Sequence, residues 1–313
     1  MPLLSTDSPP APSALLAELR HSRTASQAQH QQTLDAWELH PLTGGRNNEV
    51  YAWTRPENPI CIKLYKVDDQ RRTQREWRAL TLLAHHGADY ASIPLWIDEA
   101  SEAPAIGMSL LPGRPLPDIE DITVALKTLA EITRDLHEIP LGVGEPLASW
   151  DRIDSLEHYL TRFTQLWPQQ LADHPDDPLT ADMLTLLRRW HERGDAHTVT
   201  HPARPVFSRG DSNLLNWLHD GHTLRCVDFE FSGRSDIAFE AADQIEHISS
   251  RAIPDDTWHD LETNRGPAAL GCGLALGSEE KTNWSTRGLA TAMRRPGAVA
   301  GPGWCSRWLR VGG

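Results

Sequence analysis

From Ala36 onward the chain alternates short apolar runs with turn-forming residues. AWELHPL, GGRNN and VYAWT read as strand, Gly/Asn turn and strand; PENP stops the second run and ICIKLYKV makes a third. The next stretch, DDQRRTQREWRALTLLAHHG, opens on acids, repeats apolar residues at helical spacing and stops at His-Gly. IPLWIDE and AIGMSLL add two strands before PGRPLP interrupts. Beyond residue 116 the period lengthens. ITVALKTLAEITRDLHEI, DSLEHYLTRFTQLW and TADMLTLLRRWHER are three amphipathic helices, followed by a polar loop, the strand NWL, an HDGH turn, the strand LRCVDFE and the helix IAFEAADQIEHISS. Strands with one helix, then mainly helices, predict an α+β protein of two lobes: a small N-lobe antiparallel sheet with its helix at 32–113, and a helical C-lobe at 114–263. Residues 1–31, rich in Pro, Ser and Gln, read as a mobile lead-in with one short helix at Ser13–Arg20.

Composition changes this picture at one end. The 313 residues carry a net charge of −13, yet the stretch from Asn264 holds seven basic residues against two acidic and ten of the 21 glycines. It shows no sustained period, so 264–313 is expected to be an atypical, poorly packed tail. The acidic balance argues against nucleic acid and tilts a small-molecule partner towards cations. Four cysteines far apart in sequence make neither a disulfide framework nor a zinc site. The start, MPLLSTDSPPAPS, has neither a basic region nor a long apolar run, and no other stretch resembles a membrane span, so a cytoplasmic protein that binds no membrane is expected.

Three groups of residues carry candidate chemistry. In SRGDSNLLNWL (208–218) Asp211 and Asn216 lie five apart on a loop, and Asp228 follows across a hairpin that folds it back beside them. Oxygen ligands of this kind suit magnesium, and a remaining acid can orient a hydroxyl; each residue is also a common turn-former. Lys63 sits mid-strand, while Glu76, Leu80 and Leu83 share a helix face at i, i+4, i+7. A carboxylate turned inward needs a partner, and Lys63 is the available one; the pair serves a site or a structural salt bridge. Finally, the Gly44-Gly45 turn with Asn47 and Asn48 lets backbone N–H groups approach an anion, or is an ordinary hairpin.

The order of these parts resembles the aminoglycoside phosphotransferase and choline kinase group of protein-kinase-like small-molecule kinases. Their HGDxxxxN loop and (I/V)D(W/F)E strand are similar to RGDSNLLN (209–216) and VDFE (227–230) here, with SGRSDIAFEAADQIEH following. The resemblance implies a bilobal protein-kinase-like fold and transfer of the γ-phosphate of ATP or GTP to a small-molecule hydroxyl. It makes Asp211 the catalytic base and Asn216 and Asp228 the Mg2+ ligands. Lys63 would bind the α- and β-phosphates under the hold of Glu76, and Gly44, Gly45, Asn47 and Asn48 would lie over the phosphates. Met108 to Leu111, with Met108 and Leu110 as contacts, would form the hinge for adenine. Glu230 either touches a second metal through water or is a plain strand-end acid. Arg209 departs from the family's histidine. That departure and the tail leave a second expectation, a catalytically impaired nucleotide-binding protein of the same fold. The RGD tripeptide also spells an adhesion motif, which would need a secreted protein.

Overall fold

A computed structural model of the chain describes residues 12–42, 48–67, 71–120, 122–140, 156–193, 205–254 and 257–258. Gly44, Gly45 and Asn47, and the stretch expected to be an atypical tail, lie outside the described residues.

The first surprise is at the start. Ser13–Ser22 forms helix α1 and Gln27–Trp37 forms α2, the second opened by a capping box in which the Ser26 hydroxyl receives the Gln29 N–H and the Gln29 side chain receives the Ser26 N–H. Glu38, at φ 56°, turns the chain out of α2 into strand β1 (Leu39–Pro41). Leu15, Leu16 and Leu19 of α1 are wholly buried and belong to one core cluster with Leu34, Leu39, Tyr51, Ile62, Leu64 and Trp96. Arg20 reinforces the docking: its guanidinium donates to the Ala103 carbonyl at 3.0 and 2.9 Å and pairs with Asp98. The expectation of a mobile lead-in through residue 31 therefore fails over 13–31. Three leucines at i, i+1 and i+4 make a helix stripe narrow enough to be lost among Ser and Gln, yet it is fully used.

The sheet follows the strands expected. Strands β2 (Glu49–Trp53), β3 (Ile60–Leu64), β4 (Pro94–Asp98) and β5 (Ala105–Ser109) join β1 in the order β1-β2-β3-β5-β4, every pair antiparallel. Helix α3 (Arg72–His85) packs against β4 and β5 and buries Glu76, Ala79, Leu80 and Leu83, the face its spacing dictates. Strand β6 (Arg114–Pro115), helix α4 (Ile122–Glu138), strand β8 (Trp217–His219) and strand β9 (Leu224–Cys226) complete a compact unit made of 1–150 and 209–233. Strand β8 pairs with β6 and β9, Ala91 bridges Cys226, and the Cys226 N–H donates to the Tyr90 carbonyl at 2.8 Å. These links tie the segment after residue 208 to the N-terminal half, so the compact units cut across the boundary expected at 113/114.

The second unit, 151–208 and 234–313, contains helices α5 (Leu156–Leu171) and α6 (Pro178–Arg193), strand β7 (Pro205–Ser208) and helix α7 (Ile237–Glu246); β7 pairs with strand β10 (Gly233–Asp236). An N-terminal antiparallel sheet with its helix, followed by a mainly helical part, is the bilobal protein-kinase-like fold. Among the described residues no helix is long and apolar enough to cross a membrane.

Candidate active site

Strand β3 is central in its sheet, and its register sets Lys63 between Val50 of β2 and Ile106 of β5. The side chain is buried, and its ammonium reaches three carboxylates: Glu76 Oε2 at 2.7 Å, Asp228 Oδ1 at 2.6 Å and Glu230 Oε2 at 3.2 Å. Burial pulls the Lys63 ammonium down, but Asp228, Glu76, Tyr65 and Glu230 together outweigh it and hold it well above the ordinary lysine value. Lys63 is therefore charged throughout the physiological range.

Glu76 satisfies both of its oxygens. Oε2 accepts from Lys63 and from the Tyr65 hydroxyl at 2.5 Å, and Oε1 accepts from the Phe229 backbone N–H at 3.1 Å. A helix carboxylate thus fixes the backbone right after Asp228. Glu230 is bound by Arg72 Nη1 at 3.2 Å and by the Asn48 side-chain nitrogen. Burial pushes the Glu230 carboxyl up to about 7 against the pull of Lys63, with Asp228 and Glu76 adding to the rise and Arg72 opposing it. Around this cluster three carboxylates meet two cations, Lys63 and Arg72.

The Asp211 loop is built differently. Gly210 has φ 73°, and a Cβ there would lie 2.2 Å from the Phe231 carbonyl oxygen, so no other residue fits. Asp211 Oδ1 accepts the Asn213 N–H at 2.8 Å, and Oδ2 accepts from the Asn216 side-chain nitrogen at 2.9 Å. Asn213 in turn accepts the Leu215 N–H at 3.1 Å and caps the single 3-10 turn Leu214–Asn216. The Asn216 carbonyl receives the Val227 N–H at 2.9 Å, which sets the loop beside the segment carrying Asp228. Asp228 itself has φ 67°, a left-handed backbone that costs a non-glycine residue ~1–3 kcal/mol.

Several expectations can now be placed. Lys63 and Glu76 meet, and so do Asp211 and Asn216. The Asn216 side-chain nitrogen donates to Asp211, and the carboxylate oxygens that lie within 4.8 Å of one another belong to Glu76, Asp228 and Glu230. Met108 is buried in β5 opposite Cys61, and Leu110 follows the strand with its N–H on the Pro59 carbonyl at 3.3 Å. Arg209 is only 5% exposed, which leaves the RGD tripeptide with no arginine to present to a receptor. Two participants escape the sequence argument. Tyr65 lies two residues after Lys63 on the same face of its strand, and Arg72 lies four before Glu76 on the same face of its helix, so the periodicity that exposed Lys63 and Glu76 also contained them.

An empty-handed donor set would not suit a magnesium ion; this one does. The carboxylate oxygens of Glu76, Asp228 and Glu230, within 4.8 Å of one another, are hard ligands that could hold a metal ion, and Asn48 Oδ1 is buried with no donor among the described residues.

No protein of curated function matches the chain by sequence. Among solved structures, spectinomycin phosphotransferase APH(9)-Ia, in complex with ADP and spectinomycin, superposes with TM-score 0.56 at 12% identity, over 85% of this chain and 94% of that one. Aminoglycoside phosphotransferase APH(2'')-Ib, bound to ADP, gives TM-score 0.54 at 14% identity over 90% and 97%. A thermostable mutant of aminoglycoside phosphotransferase APH(4)-Ia gives 0.57 at 15% over 82% and 83%. At these identities the likeness establishes the fold. The sequence profile of the phosphotransferase enzyme family, APH, matches residues 38–269, and the chain belongs to that family.

Proposed function

We propose that the chain transfers the γ-phosphate of ATP, or GTP, to a hydroxyl of a small molecule, with a cationic acceptor such as an aminoglycoside, a choline-like amine or an amino alcohol favoured by the net charge of −13. The observation that carries this reading is the Lys63 ammonium held at once by Glu76 from a helix and by Asp228 from the loop after β9.

The Lys63 ammonium donates to Glu76 and Asp228, and Glu230 lies within ion-pair reach at 3.2 Å. A phosphate oxygen takes the place of one. Asp228 is the partner to yield, because its side chain is 29% exposed whereas Glu76 and Glu230 are buried and held by further donors. Asp228 and the Asn216 carboxamide oxygen would hold magnesium, and Glu76 keeps the Lys63 ammonium in place. Magnesium, when bound, neutralises charge on the transferring phosphate. Asn48, and the Gly44, Gly45 and Asn47 that precede it in sequence, are the residues that would meet the phosphates, and Met108 and Leu110 those that would meet the base. Asp211, fixed by Asn213 and Asn216, orients the acceptor hydroxyl and takes up its proton at Oδ1 or Oδ2. A loose transition state asks for this kind of orientation more than for a strong base.

The test has two stages. Thermal shift with Mg-ATP and Mg-GTP should raise Tm, and a screen of phosphate transfer to a library of hydroxyl compounds should identify the acceptor. Nucleotide binding with no transfer to any acceptor would favour an impaired nucleotide-binding protein, and no binding at all would remove the reading altogether.

A further inference from the structure

Arg209 stands where the resembling kinases have histidine, and its surroundings give it work. The side chain is buried, and among the described residues no carboxylate lies within salt-bridge reach. A buried guanidinium without a counter-charge is costly, so what holds it is informative. Two contacts do: Nη1 donates to the Val227 carbonyl at 3.1 Å, and the guanidinium carbon lies 5.0 Å from the centroid of the Trp217 ring.

Both contacts adjoin a candidate magnesium ligand. Trp217 follows Asn216, and Val227 precedes Asp228. The Val227 carbonyl also belongs to the peptide plane whose other half is the Asp228 N–H, so fixing that carbonyl fixes one side of the rotation that gives Asp228 its φ of 67°. From the opposite side, Glu76 holds the Phe229 N–H, the far half of the peptide after Asp228. Asp228 is thereby clamped between two peptide planes, each tied to a charged, buried side chain. The Asn216 carbonyl, by accepting the Val227 N–H, joins the same frame.

We propose that Arg209 is a positioning residue: its guanidinium, braced on Trp217, orients the Val227–Asp228 peptide so that Asp228 keeps the left-handed backbone that turns its carboxylate towards a divalent cation. The proposal rests on the reading of Asp228 as a magnesium ligand. Histidine at 209 could also stack on an indole and donate one N–H to a carbonyl, but it lacks the permanent charge and multiple donors of the guanidinium fork, which makes the arginine a substitute of a different kind.

The test measures cation retention by the full chain without any acceptor or turnover. Mn2+ binding to the ADP-loaded protein is followed by electron paramagnetic resonance, and ADP affinity is measured separately in EDTA. Arg209→Lys keeps the charge but loses the stacked fork; it should weaken Mn2+ retention at least tenfold while leaving metal-free ADP affinity within twofold. Arg209→Ala should weaken it further. Asp228→Ala tests the underlying reading: if wild type with ADP holds no Mn2+, or Asp228→Ala holds it equally well, Asp228 is no metal ligand and the proposal falls with that reading. If Asp228→Ala loses Mn2+ while Arg209→Lys and Arg209→Ala retain it at wild-type strength with only a lower Tm, the arginine is a packing residue and the positioning role alone is overturned. Failure of both Arg209 variants to fold would assign the residue to the fold and overturn the proposal as well.

Discussion

The two halves of the candidate site hold their polar groups in opposite ways. Around Lys63 the partners come from far apart in the chain: Asp228 is 165 residues away, Phe229 lies 153 from Glu76, and Asn48 lies 182 from Glu230. The side chains of Asp211, Asn213 and Asn216 make bonds that close within five residues. The first half exists only when the whole unit has folded, and its groups are buried, so charge there is coupled to stability. The second is tied by short-range side-chain bonds and meets distant chain at its ends, where Gly210 lies against Phe231 and Asn216 accepts from Val227. Damage to the one should therefore cost fold and function together, and damage to the other function alone.

The largest expected effect tests the local half. Asp211→Ala should lower phosphate transfer by ~10^2 to 10^4, the usual worth of a positioned proton acceptor, while costing only about 1 kcal/mol of stability and leaving ADP binding intact. A melt showing several kcal/mol of loss would erase the contrast between the halves. Next comes Lys63→Ala, which strands Glu76 and Glu230 without their shared ammonium. Removing one member of a buried ion pair costs about 3–5 kcal/mol, and nucleotide affinity should fall with it; an unchanged affinity beside a lower Tm would make the lysine purely structural. Tyr65→Phe should be milder. It deletes one hydrogen bond to a buried carboxylate, worth ~1.5–3 kcal/mol, and should loosen Lys63 enough to be seen in nucleotide titrations.

The smallest effect is a pH slope. The Glu230 carboxyl is pushed from its ordinary 4.5 up to about 7, so the folded protein binds that proton more tightly than the unfolded chain. Its contribution is fully present below about 4.5 and is lost as pH rises through 7. Stability should accordingly decline across that window, and Glu230→Gln should flatten the decline. Identical slopes in the two proteins, measured by urea melts from pH 5 to 8, would place the decline elsewhere.

How much of this could be seen in the sequence follows the same division. The Asp211 loop was legible because its partners are near neighbours, and Asp and Asn in one short frame announce their own turns. Lys63 and Glu76 were legible from the helical face shared by Glu76, Leu80 and Leu83, since a carboxylate among leucines demands a cation. Which further carboxylates would reach the lysine was not, because Glu230 reads equally well as a strand-end acid until Asn48 and Arg72 are placed against it. The bond from the Asn216 side-chain nitrogen to Asp211, which a hexapeptide can make unaided, was not foreseen either. Helices α1 and α2 hid for another reason: their polar residues outnumber the few leucines that matter, and only the sheet face they cover gives those leucines meaning.

That covering has a practical side. Leu15, Leu16 and Leu19 close the sheet over Tyr51, Ile62, Leu64 and Trp96, and burying a leucine fully contributes about 1.5–3 kcal/mol. Trimming the chain back to residue 32, the start of the first strand pattern, would strip all three and open an apolar wall behind the strand that carries Lys63. Such a shortened protein should go to the insoluble fraction on expression, whereas one beginning at residue 12 should stay in the supernatant. For anyone choosing where to attach an affinity tag or end a deletion series, the boundary of the N-terminal sheet is set by the helix packed into its core.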